Sequence, residues 1–326
     1  MAITDIEVGL SDEQRSIRDS ARKSADEVLR PAGIALDRLP DPAQVIAPDS
    51  PLWRVFEKSR ELGLEQLETG ATDLPPGEAA RVRYLVNEEM GRGDSGLAIS
   101  LAVAGFHRIF AQMSGRPALI ERFCGESSRE IGCWAITEPD HGSDSLAFSE
   151  PHFRDSALKP NCVARKDGSE WVIQGQKAAW VSNGTIATVA TLFCTIDPSG
   201  GFQRGGVCLV PLDLPGVSRG KPLDKLGQRA LNQGEIFFDD VRVPASYMAV
   251  GPDAYAIALE MMLAFANAAM GELFVGVASA AYDYALAYSK VRVQGGKPIF
   301  EHQAIKLKLF EMFRKIQAAR ALARHV

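Results

Sequence analysis

The hydrophobic period changes twice along this chain, and those two changes limit its fold more than any other feature. Up to about residue 130, apolar residues recur at helical spacing over 51–63, 77–92, 95–113 and 116–125. From about 131 the pattern becomes short runs rich in β-branched and aromatic residues: "EWVIQGQKAAWVSNG", "TVATLFCTI", "GGVCLVPL" and "GEIFFDDVRVP", separated by Gly, Pro and Asn. From about 252 the helical period returns over 253–291 and 300–326, joined by "VQGGKP". The expected fold class is therefore α+β and multidomain. A helical N-terminal domain, 1–130, precedes a β-barrel or sandwich, 131–245, and a C-terminal helical bundle, 246–326. Locally, Ser11 to Gln14 forms a capping box that opens a helix expected to stop before Pro31, and Asn183-Gly184 predicts a tight turn.

Composition narrows the class. Among 326 residues, 46% are apolar and 24% charged, and the net charge of −5 comes with no Lys/Arg block, so neither a nucleic-acid nor an anionic-membrane partner is expected. The apolar region Ala254 to Ala287 is interrupted by Glu260, Asn267, Glu272 and Asp283, which argues against a membrane span. The N-terminal stretch has no signal or transit pattern. The five cysteines, Cys124, Cys133, Cys162, Cys194 and Cys208, are scattered without metal-ligand spacing. They are expected as buried reduced thiols of a cytoplasmic protein, with no metal site.

"CWAITEPDHGSD", residues 133–144, reads as a strand running into a polar turn with too few glycines to cradle a phosphate. Alone, it describes a strand end with an Asx-type turn. Three further segments follow in order: "QKAAWVSNG", "KLGQRALNQGEIFFDDVRVP" and "YSKVRVQGGKPIFEHQAI". Together the four segments, and the helix–sheet–helix order from about residue 10 to 326, resemble the acyl-CoA dehydrogenase family.

The resemblance implies FAD, an acyl-CoA substrate and an electron-transfer flavoprotein as electron acceptor. It implies that Trp134, Ile136 and Thr137 face the flavin ring, and that Ser143 meets both the cofactor and the acyl-CoA. Trp180 would lie against the flavin, with Val181 beside it, and the Ser182 hydroxyl would bond near flavin N5. Arg292, His302 and Gln303 match positions that reach the FAD of a partner protomer in a homodimer or homotetramer. An Arg fork suits a pyrophosphate. Gly295 departs from the family, which usually carries an aromatic residue there.

The family reaction removes an α-proton with a carboxylate while the β-hydrogen leaves as hydride, and that carboxylate must be desolvated. The resemblance places the base either beyond residue 326 or at Ala266, with Asn267 on the substrate side where Arg is usual. No catalytic residue is assigned. Glu260 and Glu272 each stand six residues from Ala266, about 1.7 helical turns away, and are expected as ordinary polar positions. His141 is expected as a solvated turn histidine. The final helix carries no stop signal, which fits a frayed terminal helix, a longer sequence or completion by a partner. Two alternatives stand beside the dehydrogenase of lipid metabolism: a non-catalytic subunit of a heteromeric enzyme, and a flavin-dependent oxygenase or oxidase.

Overall fold

The computed structural model describes residues 9–63, 74–125 and 129–325. Its helices are α1 (Asp12–Ser24), α2 (Arg30–Asp37), α3 (Pro42–Val45), α4 (Pro51–Glu61), α5 (Pro76–Gly93), α6 (Ser95–Ala104), α7 (Phe106–Met113), α8 (Pro117–Cys124), α9 (Tyr255–Val291) and α10 (Gln303–Ala323). Its strands are β1 (Gly132–Ala135), β2 (Val163–Asp167), β3 (Glu170–Lys177), β4 (Val189–Thr195), β5 (Gly205–Pro211), β6 (Val217–Arg219), β7 (Ile236–Pro244), β8 (Met248–Val250), β9 (Val293–Gln294) and β10 (Lys297–Pro298). Contacts group the chain into two units. One comprises the described parts of Met1–Ala35, Gly70–Ala98 and Phe265–Val326; the other comprises those of Leu36–Thr69 and Ile99–Ala264.

In the first unit the capping box opens α1 as expected: Gln14 N–H donates to Ser11 Oγ at 3.1 Å and Ser11 N–H to Gln14 Oε1 at 3.2 Å. The expected stop before Pro31 does not occur. A π-helical turn, Ala25–Leu29, lets Arg30 N–H reach back to the Ala25 carbonyl, and α2 continues through the proline. The wider turn accommodates a ring that lacks an N–H and would clash with a carbonyl in regular helix. Helices α5 and α9 then meet backbone to backbone. A Cβ at Gly91 would lie 2.0 Å from the Leu273 carbonyl oxygen, and one at Gly276 would lie 1.9 Å from that of Glu88. Ion pairs tie α5 to α1, to α10 and to α9 in turn. Arg22 grips Glu89 at 2.5 Å, Arg320 Nε meets Glu88 at 3.0 Å, and Arg92 pairs with Asp283.

By length and composition α9 is apolar enough to cross a bilayer. Its Glu272 and Asp283 are nevertheless bound within the helical unit, to Asn87 and Arg92. Glu272 is 5% exposed, and burial holds its carboxyl above the usual range against the opposing Asn87 hydrogen bond. The ordinary polar position expected for it is corrected: the residue is a buried, bonded carboxyl. Glu260 is exposed as expected.

In the second unit, eight strands form one sheet, seven of them in the order β6-β7-β3-β2-β4-β5-β8. Strand β1 runs parallel to the first half of β4, on the edge whose far end meets β2. Strand β8 carries the sheet past residue 245. The core gathers Cys133, Cys162, Cys194 and Cys208 among Ile173, Leu192, Val210 and Phe238. Burial pushes the Cys133 thiol up to about 12 and Cys162 to about 11, so both stay protonated. The run expected as one helix over 95–113 is two, α6 and α7, divided at Gly105. Helix α7 packs on the sheet through Phe110, edge-on to Phe193 at 5.6 Å. Beside it His107 is fully buried, and burial, aided by Arg108, lowers it to about 3.

Where β1 leaves the sheet, one ion pair sits inside. Lys177 Nζ lies 2.6 Å from Glu138 Oε1, with the two side chains 1% and 0% exposed. Lys177 also donates to the Ile136 carbonyl at 3.1 Å. Glu138 accepts from Cys162 N–H at 3.0 Å and Asn161 N–H at 2.5 Å. The pair therefore joins the end of β1, the start of β2 and the end of β3.

Glu138→Ala leaves a buried ammonium and two backbone donors unmatched and costs about 3–5 kcal/mol in denaturant titration. Pairing it with Lys177→Met costs less than the sum of the single changes. Gly276→Ala forces α5 and α9 apart and costs about 1–3 kcal/mol on the same measure. For His107 the folded form refuses a proton that the unfolded chain takes below about 6.5. Stability therefore falls as pH drops from about 6.5 to 3, by up to about 1.4 kcal/mol per pH unit. His107→Leu, followed by thermal melts across that range, loses stability less steeply than the parent.

Candidate functional site

The strand β1 leads into the turn 137–142, and β3 leads into 178–183; the two segments run side by side. Thr137 Oγ1 donates to the Ala178 carbonyl at 2.7 Å, and Ala178 N–H returns to the Thr137 carbonyl at 3.0 Å. Trp134 and Ser182 form an antiparallel bridge, as do Ser182 and Gln233. Asn183 closes the segment in a left-handed conformation, φ 63°. Its buried amide donates to the Ser100 and Gly132 carbonyls and accepts from the Ser100 hydroxyl. Asn183-Gly184 is thus a turn, as expected, but it is pinned to α6 and β1 rather than closing a two-residue hairpin.

On this frame Trp180 stands 60% exposed, a large ring beside a polar edge. Val181 is fully buried, and its carbonyl accepts from Gly184 and Gly234 N–H. Ser182 Oγ accepts from Gln233 Nε2 at 3.2 Å, and its own hydrogen has no acceptor among the described residues. The Thr137 hydrogen, by contrast, is committed to Ala178. Ile136 is buried. The Trp134 ring packs on Phe106 at 5.6 Å, so it is the backbone of Trp134 that shares the edge with Ser182.

Ser143 is exposed at the start of a short 3-10 turn. Next to it Asp144 bonds the His141 ring at 2.8 Å and accepts from Gly142 N–H at 2.7 Å. Partial burial works the other way, yet these bonds hold the Asp144 carboxyl below its usual range. His141 is not a solvated turn histidine: its side chain is 14% exposed, and its ring lies edge-on to Phe202 at 5.2 Å.

Arg292, His302 and Gln303 belong to the helical unit. Between α9 and α10 the strands β9 and β10 form a two-residue hairpin with Gly295 at φ 61° and Gly296 at φ 77°. Positive φ at both positions favours glycine, which accounts for Gly295 where an aromatic residue was expected. His302 Nε2 donates to the Gln294 carbonyl at 2.9 Å and fixes the hairpin. The Arg292 and Gln303 side chains are exposed and make no hydrogen bond among the described residues. Ala266 is half-buried on α9 and Asn267 exposed.

Three residues that the sequence reading did not select contribute to the first frame. Lys177 falls on the inward phase of β3 with Ile173, a signal that alternation offers for a buried cation. Lys225 Nζ donates to the Leu231 carbonyl at 2.6 Å and to Gln233 Oε1 at 2.9 Å. Gln233 Nε2 donates to the Trp180 carbonyl as well as to Ser182, both at 3.2 Å. No metal-holding group of three or more His, Cys, Asp or Glu residues occurs among the described residues.

An exposed indole, a hydroxyl hydrogen without an acceptor and a buried apolar edge suit a flat aromatic ligand rich in acceptor atoms, and so fit a flavin.

Comparison with known proteins agrees. Residues 133–241 match the family model for the acyl-CoA dehydrogenase middle domain, and 256–326 match that for the acyl-CoA dehydrogenase C-terminal domain. The chain is 30% identical over 317 residues to benzylmalonyl-CoA dehydrogenase of Aromatoleum aromaticum, covering 96% of this chain and 78% of that one. A glutaryl-CoA dehydrogenase from Mycobacterium smegmatis in complex with FADH2 superposes with a TM-score of 0.77 at 26% identity, over 97% of this chain and 75% of that one. A structure described as the electron transferring flavoprotein of Acidaminococcus fermentans gives 0.81 at 26% identity, over 98% and 79%. The four ordered segments, the sheet between helices and these matches together mean that the chain belongs to the acyl-CoA dehydrogenase family, whose cofactor is FAD.

Proposed function

We propose that this chain holds FAD along the edge formed by Trp134, Ile136, Thr137, Trp180, Val181 and Ser182, and oxidises the α,β bond of an acyl-CoA thioester. The observation that carries the reading is the pairing of an exposed Trp180 ring with a Ser182 hydroxyl whose hydrogen points to no protein acceptor. When bound, FAD supplies the acceptor for the hydride that leaves the β-carbon. Trp180 covers the ring system and excludes water from it. Ser182 donates to a ring acceptor, while Thr137, its hydrogen held by Ala178, offers only a lone pair. Ser143 and Asn267, both exposed, are assigned to the acyl-CoA side. The Arg292 fork and the Gln303 amide are assigned to the FAD of a partner protomer, with His302 holding the hairpin between them. We assign the oxidised class to lipid metabolism in the cytoplasm, the assembly to a homodimer or homotetramer, and the electron acceptor to an electron-transfer flavoprotein.

One observation favours a second reading. Ala266 stands where part of the family carries its base and cannot take a proton, and Glu272, 5% exposed, lies six residues and about 1.7 helical turns from it. A homologous subunit that supplies the base would complete the reaction in a heteromer.

The test is anaerobic titration of the purified, FAD-loaded protein with acyl-CoAs of several lengths. Loss of the flavin visible band on adding substrate to this chain alone supports the dehydrogenase. Loss only after a homologous subunit is added supports the heteromer. A protein that binds no FAD, or a band that persists in both arms, sinks the proposal. Trp180→Ala is expected to weaken FAD binding about tenfold, about 1.4 kcal/mol, read by quenching of flavin fluorescence.

A further inference from the structure

Ser182 is useful to a flavin only if its hydroxyl donates, and a hydroxyl can also accept or turn its hydrogen elsewhere. We propose that Lys225, through Gln233, is a positioning residue that fixes the direction of this hydrogen bond and aims the Ser182 hydrogen at the cofactor. The inference rests on the placement of FAD beside Trp180 and Ser182 proposed above.

The direction follows from what each group can do. Lys225 Nζ has hydrogens to give, and its two neighbours, the Leu231 carbonyl at 2.6 Å and Gln233 Oε1 at 2.9 Å, are acceptors. An amide can present either its oxygen or its NH2 to a neighbour; facing a lysine that donates, Gln233 presents oxygen. Its NH2 then points the other way, and both hydrogens find acceptors, the Trp180 carbonyl and Ser182 Oγ, each at 3.2 Å. With a lone pair of Ser182 taken, its hydrogen is left to donate, and no acceptor for it exists among the described residues. Burial lowers Lys225 to about 8. As ammonium or as amine it still carries two hydrogens for its two acceptors, so the direction is the same on both sides of that value.

The lysine is itself held. Arg229 donates to the Lys225 carbonyl at 3.0 Å, to Asp224 at 2.6 Å and to the Leu39 carbonyl at 2.7 Å. The loop 224–233 is thereby fixed at one end while its far end bridges Ser182. Thr137 supplies the contrast: its hydrogen bonds Ala178 at 2.7 Å and is not available to a ligand. Of the two hydroxyls on this edge, only Ser182 is set to donate outward.

Gln233→Glu tests the direction with almost no change of shape. The new carboxylate accepts from Lys225 and also from Ser182, so the Ser182 hydrogen turns inward. The readouts are the reduction potential and visible absorption maxima of FAD bound to the full chain, measured in a cycle with Ser182→Ala. The expected result is that Ser182→Ala shifts both, and that the effect of Gln233→Glu shrinks by half or more once Ser182 is already alanine. Equal effects of Gln233→Glu in both backgrounds overturn the inference, because they report only the field of the added charge. A silent Ser182→Ala in a protein that binds FAD overturns the placement of Ser182 and the relay with it. Failure to bind FAD overturns the functional proposal itself. Lys225→Met, whose lost positive charge the same Ser182→Ala cycle subtracts, repeats the test should Gln233→Glu not fold, and Lys225→Arg is expected to retain the parent potential.

Discussion

The candidate site hangs on one buried ion pair, Lys177 with Glu138. An ammonium and a carboxylate inside a β core are costly to desolvate, and they persist only where their remaining hydrogen-bonding capacity is met. Here it is met by backbone: the Ile136 carbonyl on one side, the Cys162 and Asn161 N–H groups on the other. The pair therefore does more than cancel charge. It sets the end of β1 against the start of β2 and the end of β3, three strands that the sheet order alone leaves without a common junction. Once that junction is fixed, Thr137 and Ala178 can exchange their two bonds, and Trp134 can bridge Ser182. The exposed Trp180 ring is positioned by charge buried several residues away.

The helical unit is built on a different economy. Its helices approach through glycine, at Gly91 and Gly276, closely enough that backbone meets backbone. The polar groups near these contacts are paired: Glu89 with Arg22, Glu88 with Arg320, Asp283 with Arg92, Glu272 with Asn87. Arg292 and Gln303, by contrast, are exposed and have no side-chain partner among the described residues. They sit at the glycine hairpin, where His302 holds the backbone and leaves its neighbours uncommitted.

Much of this was legible in the sequence, for identifiable reasons. The two changes of period gave the helix–sheet–helix order because side-chain spacing follows backbone geometry directly. The capping box of α1 was readable because both of its partners lie within one turn. Pro31 misled because the proline rule assumes regular helix, and the π turn over Ala25–Leu29 removes that assumption. Glu272 misled because six-residue spacing on α9 says where a side chain points but not that Asn87 waits there. The Trp180 and Ser182 segment was found by resemblance. Lys225 and Gln233 were not, since both lie in a loop with no period, and Gln233 meets its partners Trp180 and Ser182 across 53 and 51 residues of sequence.

A site for an acceptor-rich ring is distinguished less by how many donors it has than by which donors are left over. Thr137 and Ser182 both carry hydroxyls on the same edge, and residue type alone gives them equal claims. Their surroundings separate them. Thr137 lies opposite a carbonyl, which can only accept, so its hydrogen is retained within the protein. Ser182 lies opposite an amide NH2, which can only donate, so its hydrogen is released. That difference traces back to a lysine that never touches either residue. Glu272, by contrast, is 5% exposed and accepts from Asn87, and that bond holds its carboxyl within the helical unit. Within this fold, then, the groups suited to chemistry are those that the packing has left without a partner, and the groups that build the site are those it has fully satisfied.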